Sequence, residues 1–139
     1  MKTKIVFLFI ATSIFVACNQ GTQTTNNEEV KNEIIQDLDT LLHVYYFHAT
    51  RRCATCQAVE DVTREALKEF YGDKITLLSL NFEEDSNKAL VDKFQVSGQT
   101  LLIVKGDKQA NITEYAFMNA KTQPDKLKEK IKSTIESMR

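Results

Sequence analysis

Two cysteines separated by two residues, where an uncharged apolar run gives way to a helical pattern, constrain this chain more than any other feature. They lie in HVYYFHATRRCATCQAVEDVTREAL, residues 43–67. Leu41 to Phe47 is apolar and aromatic, as expected of a strand covered on both faces. Val59, Val62, Ala66 and Phe70 then recur at steps of three and four, which predicts a helix that buries one face. Gly72 ends that helix and Asp73 lies in the turn. The pair therefore sits where a strand hands over to a helix, with Cys53 at the helix mouth.

That position carries chemistry. Only the thiolate is a good nucleophile, and unpaired N–H groups, the helix dipole and nearby cations all favour a negative sulfur there. Arg51 and Arg52 supply two such cations. Ala54 and Thr55 space the sulfurs by about one helical turn, so Cys53 and Cys56 can close a small disulfide without large backbone movement. Cys53 is expected to attack and Cys56 to resolve; a pair of unreactive buried thiols is the plainer alternative. C-x-x-C beside a strand and a helix in an α/β pattern is a recognised redox arrangement.

Three further side chains are candidates for tuning the thiolate. His48 ends the strand five residues before Cys53, where its imidazole could stabilise the thiolate or accept its proton, or could instead cap the sheet edge. Arg51 and Arg52 are either tuning cations or solvated charges. Glu60, one turn beyond Cys56, could reach the resolving thiol; a solvated Glu60 paired with Arg64 is the stronger expectation.

The start of the chain bears on where this happens. Lys2 and Lys4 precede an apolar run from Ile5 to Ala17 of about 13 residues, against the ~20 a membrane-spanning helix needs. It reads as an export signal. Phe15-Val16-Ala17-Cys18 resembles the lipobox of bacterial lipoproteins, with Phe15 in place of the usual leucine. The resemblance implies that Cys18 is lipidated and becomes the first mature residue; ordinary cleavage nearby, leaving a soluble secreted protein, is the alternative. Asn19 to Asn27 has no bulky apolar residue and reads as a tether. Glu28 to Leu38 places Val30, Ile34, Ile35 and Leu38 near helical spacing. The expected organisation is a signal over 1–17, a lipidated cysteine, tether and short helix over 18–37, and a single domain over 38–139.

The chain has three cysteines, one for the lipid and two for the redox pair. An exported protein whose only pair is C-x-x-C is more plausibly using it than being stapled by it. With 18 Lys and Arg against 19 Asp and Glu the formal charge is −1, and loss of Lys2 and Lys4 leaves −3. No basic surface is implied, so nucleic-acid binding is not expected. About 120 mature residues suffice for one compact domain.

Downstream, the pattern predicts a strand over Lys74–Asn81, a short helix over Asn87–Phe94 with Leu90, Val91 and Phe94 inward, and a strand over Thr100–Val104. Gly106-Asp107 marks a turn, and Ile112 to Phe117 is expected as a fourth strand in a hairpin. Pro124 opens a last helix with Leu127, Ile131, Ile135 and Met138 on its buried face.

This order, with C-x-x-C after the first strand, resembles the thioredoxin fold over residues 38–139. YFHATRRCATC is similar to the family's strand and active-site loop, and VSGQTLLIVKGD to its later strand and hairpin. The resemblance implies an α/β, three-layer fold: a central mixed sheet of about four strands flanked by helices. It also implies a redox-active Cys53–Cys56 disulfide with no other cofactor, and a protein dithiol or disulfide as partner. The family usually has a cis-proline before the strand matched by Thr100–Val104, whereas here Gly98, Gln99 and Thr100 form that loop. A non-proline cis bond costs about 2.5–4 kcal/mol, so a trans linkage is expected at Gln99. The flanking tryptophans are replaced, with His48 near one position and Arg52 at the other, and the family's buried acid is replaced by Tyr46.

More narrowly, YYFH followed by RRCATC resembles small bacterial proteins labelled nitrophenyl compound nitroreductase subunit of the ArsF type. The expected function is thiol-disulfide exchange by a lipid-anchored, monomeric protein of the bacterial cell envelope, outside the cytoplasm. The alternative is a dithiol that captures a soft ion such as Cu(I) or a trivalent arsenical. A third possibility is a protein-contact or redox-sensing lipoprotein. A zinc site is not expected, because His43 and His48 fall on opposite faces of one strand.

Overall fold

A computed structural model describes residues 41–139. The signal, the lipidation site at Cys18, the tether and the helix expected over residues 28–38 lie outside the described residues. Strand β1 runs Leu42–His48 and helix α1 Ala54–Tyr71. Strand β2 follows at Leu77–Asn81, then a single 3-10 turn at Asp85–Asn87 leading into α2 at Lys88–Lys93. Strands β3 (Thr100–Lys105) and β4 (Lys108–Asn111) form a hairpin, and α3 (Thr113–Asn119) and α4 (Pro124–Ser137) complete the domain.

The sheet has the order β2-β1-β3-β4. β1 pairs parallel with β2 and antiparallel with β3, with His48 opposite Asn81 and Phe47 opposite Thr100. Alternation along β1 splits the core into two layers. Val44 and Tyr46 join Leu101 and Ile103 beneath α1, α3 and α4, while Tyr45 and Phe47 join Leu102 and Val104 beneath α2. This is the expected mixed four-stranded sheet between helical layers.

Helix α1 is the spine of the larger layer. Val59, Val62 and Ala66 are buried as expected, but Leu67 and Tyr71 complete the face, and Phe70 is only half-buried. The stripe is wider than the sequence steps imply because the sheet and α4 cover adjacent sides of one helix. On α4, Leu127, Ile131 and Ile135 are fully enclosed, and Pro124 stands in the first turn as expected. Lys128 ties the two helices at the surface through Glu65 and Glu69, at 3.2 and 3.1 Å.

The fourth strand is a correction. It spans Lys108–Asn111, and Thr113–Asn119 is helix, where a strand over Ile112–Phe117 was expected. Gly106, at φ 58°, turns the chain so tightly that Lys105 pairs with Lys108, and the strand resumes at once. Asn111 then ends it, its Oδ1 accepting from the Thr113 backbone N–H at 3.0 Å and from the Thr113 hydroxyl at 2.6 Å. Ile112, Ala116 and Ala120 point inward at a spacing of four, a helical period mistaken for alternation. β2 also starts at Leu77, later than the expected Lys74, because the Gly72 turn occupies Lys74.

Candidate active site

Cys53 is the N-cap of α1, with extended backbone at φ −82° and ψ 163°. Its Sγ accepts from the Cys56 backbone N–H at 3.1 Å, and its carbonyl opens the helix by accepting from the Gln57 N–H at 3.0 Å. The first turn holds no acidic residue, so nothing there opposes negative charge on sulfur. Cys53 and Cys56 form a disulfide, with Cα atoms 5.1 Å apart. Cys53 is exposed and Cys56 is 1% exposed. One sulfur is open to an incoming partner and the other lies behind it, the asymmetry needed for an attacking and a resolving thiol.

Beneath the pair lies a charged group buried against the core. Glu60 is 9% exposed, so the expectation of a solvated carboxylate is corrected, although its pairing with Arg64 holds at 2.7 Å through Oε1. Its Oε2 accepts from Arg52. The helical period explains this: four residues after the buried Cys56, a side chain must again face inward. Burial alone would raise the Glu60 pKa, but hydrogen bonds from Arg52 and Arg64 outweigh it and hold the carboxyl below its ordinary range. The Arg52 guanidinium lies 5.8 Å from the centre of the Tyr46 ring.

Tyr46 is fully buried, and its hydroxyl donates to the Cys56 carbonyl at 3.0 Å. Burial pushes its pKa from 10.0 up to about 12, with Arg52 opposing the shift and Glu60 adding to it. At neutral pH it is a fixed donor that fastens the first turn of α1 to β1. His48 is half-buried at the end of β1; its Nδ1 lies 3.0 Å from the Ala49 carbonyl and its ring is 6.1 Å from that of Tyr46. Arg51 is exposed.

The loop is held from the other side by residues the sequence did not single out. Thr50 N–H donates to Glu83 Oε2 at 3.0 Å, and Asn81 Nδ2 donates to the Thr50 hydroxyl at 2.9 Å. The Phe82 N–H reaches the His48 carbonyl at 3.0 Å. Asn81 followed by Phe82 and two glutamates reads as an ordinary turn signal; its partner lies 31 residues earlier and only the β1–β2 register brings them together. Gly98, Gln99 and Thr100 lead into β3, and the pairing of Thr100 with Phe47 sets this loop beside the end of β1. The peptide bonds of the described residues are all trans, as expected at Gln99, and the Thr100 hydroxyl donates to the Gly98 carbonyl at 3.0 Å.

Among the described residues, no group of three or more His, Cys, Asp or Glu is placed to hold a metal ion. A cleft of about 610 Å³ opens at the other end of β1, lined in part by Leu42, Ile75, Leu78 and Lys105, and takes no residue from the cysteine loop.

A sheet of this order carrying an exposed and a buried cysteine in one disulfide at a helix mouth defines a thioredoxin-like thiol-disulfide oxidoreductase. The thioredoxin family profile matches residues 21–133, and the chain belongs to that family. Among solved structures it is similar to Deadhead, the germline-specific thioredoxin of Drosophila melanogaster. That alignment has 18% identity and a TM-score of 0.50, covering 81% of this chain and 94% of the other. The thioredoxin of Fasciola hepatica aligns over the same shares, 81% and 94%, at 16% identity and a TM-score of 0.50. At such identities the likeness speaks for the fold alone. Comparison with curated proteins gives no match.

Proposed function

We propose that this chain is a lipid-anchored protein of the bacterial cell envelope, facing outside the cytoplasm, that exchanges dithiol and disulfide with a partner protein. The observation that carries the exchange is the exposed Cys53 backed by the buried Cys56 in one disulfide. In the reducing direction the Cys53 thiolate attacks a partner disulfide, forming a mixed disulfide and releasing one partner thiolate. Cys56 then loses its proton and attacks the Cys53 sulfur. The partner leaves as a dithiol, two electrons have passed to it, and the Cys53–Cys56 disulfide closes; the oxidising direction reverses these steps. An exposed sulfur on an open surface suits a macromolecular disulfide better than a small enclosed substrate.

The full chain, equilibrated in glutathione buffers of graded potential and weighed after alkylation, is expected to show one reversible two-electron transition. Cys53→Ser should abolish it. A pair that stays reduced throughout, or that holds Cu(I) or a trivalent arsenical against tagging, would overturn exchange in favour of soft-ion capture.

The anchor rests on the Phe15–Cys18 segment and the apolar run before it. In an expressing bacterium the protein should fractionate with membranes and incorporate labelled fatty acid, and Cys18→Ser should lose both. The narrower likeness to nitroreductase subunits rests on YYFH and RRCATC alone, and the comparisons add nothing to it.

A further inference from the structure

Arg52 stands one residue before the nucleophile, yet its guanidinium is spent elsewhere. It donates to Glu60 and lies over the Tyr46 ring, and it makes no hydrogen bond to either sulfur. Glu60 is in turn gripped on its other oxygen by Arg64, and its side chain is 12% exposed against 25% for Arg52. The carboxylate stands on α1 and is held by a second arginine, whereas Arg52 stands on the loop that precedes the helix. The Arg52 Nε is buried and makes no hydrogen bond, so the Glu60 carboxylate is the hydrogen-bonding partner that directs the guanidinium. A cation this close to Cys53 would otherwise be drawn to a thiolate, the same charge-assisted hydrogen bond that it now makes to a carboxylate.

We propose that Glu60 is a positioning residue that tethers Arg52 beneath the loop and away from Cys53, so that the Cys53–Cys56 pair is kept more reducing than its neighbouring arginine would make it. The proposal rests on the thiol-disulfide reading of the pair. It goes further, because it makes a buried carboxylate act on the redox equilibrium through an arginine. Removing the carboxylate's charge releases the guanidinium to the Cys53 sulfur, stabilises the thiolate, and moves the equilibrium toward the dithiol. No atom or electron is exchanged with Glu60 itself.

A double-variant cycle on the full chain tests this. Two quantities are read: the rate at which iodoacetamide alkylates Cys53 in the reduced protein below neutral pH, and the equilibrium between protein disulfide and glutathione. Glu60→Gln keeps the size of the side chain, removes its charge and leaves one accepting oxygen where the carboxylate offers two to Arg52 and Arg64. It is expected to raise both the alkylation rate and the equilibrium constant for reduction up to about fivefold, the range a solvent-exposed ion pair produces. In an Arg52→Met background, Glu60→Gln should change neither. If the increase persists there, Glu60 acts on the sulfurs directly and the tether is overturned.

Arg52→Met alone tests the tether independently should Glu60→Gln fail to fold. A tethered arginine contributes little to the thiolate, so alkylation should change less than about twofold. A larger fall would show that Arg52 already serves Cys53 in the wild type, which overturns the tether. Arg64→Gln, which leaves the Arg52 contact in place, should not reproduce the effect of Glu60→Gln; if it does, the specific role of Arg52 is lost. Should the wild type fail to cycle in glutathione, the exchange reading falls, and the alkylation arms on reduced protein still decide the tether.

Discussion

The side chains around Cys56 divide the work of holding the redox helix against the sheet. Tyr46 donates to a carbonyl of the first turn from a fully buried position. Replacing Tyr46 with Phe removes that bond while keeping the ring, and is expected to cost about 1 kcal/mol in denaturant titrations at neutral pH. The pH dependence has a definite sign. Because the folded-state pKa is raised to about 12 from 10.0, the phenol's contribution is complete below the unfolded value and is lost as pH rises through the folded one. Tyr46→Phe should therefore flatten the fall in stability at the alkaline end. Glu60 works at the opposite end. Its pKa is depressed, so its contribution is present above the ordinary carboxylate range and is lost as pH falls through the folded value. Cys53 and Cys56 themselves were legible in the sequence, as was the Glu60–Arg64 pair. The burial of Glu60 was not, because Arg52 arrives from the loop to join Arg64 on a carboxylate one turn below a buried cysteine, and no spacing within the helix records that.

At the scale of elements, α1 is bounded by two contrasting devices. Cys53 starts it by accepting from the Cys56 N–H, and Gly72 ends it with its own N–H bonded to the Lys68 carbonyl at 3.0 Å. Gly72 has φ 62° and ψ −129°, which a side chain tolerates poorly, although a Cβ there would meet no atom within 4 Å. Gly72→Ala is expected to cost about 1–2 kcal/mol through backbone strain alone, read as a lower denaturation midpoint with an unchanged slope. The strands β1 and β3 and the helices α1 and α4 were legible because long runs of one period are self-consistent. The β4 and α3 segment was not, because a four-residue edge strand followed by Ile112, Ala116 and Ala120 offers two short periods, and hairpin geometry decides between them.

Over the whole molecule, stability and function meet where α1 and α4 pack on one face of the sheet. Leu127, Ile131 and Ile135 are fully buried against residues of α1 and the strands. Ile131→Ala should leave a cavity costing about 2–5 kcal/mol, measured as a lowered midpoint of thermal unfolding. The Cys53 site lies at the loop end of this layer rather than in it. The folded fraction of the variant should therefore keep its dithiol-disulfide equilibrium with glutathione, which separates packing from chemistry.

The sequence by itself determined the redox pair, its place at a strand-to-helix junction, the thioredoxin-like α/β order and the long elements. Each of these is written in local spacing, and local spacing is fixed by the geometry of helix and strand. Only the tertiary structure decided which groups surround the sulfurs. Asn81 and Glu83 reach the loop across the β1–β2 register, Tyr46 reaches Cys56 across the sheet-to-helix gap, and Arg52 turns down to Glu60. These contacts bring together residues of different elements, or of a loop and a helix. Their partners are set by how layers stack, and no period within a single segment records that.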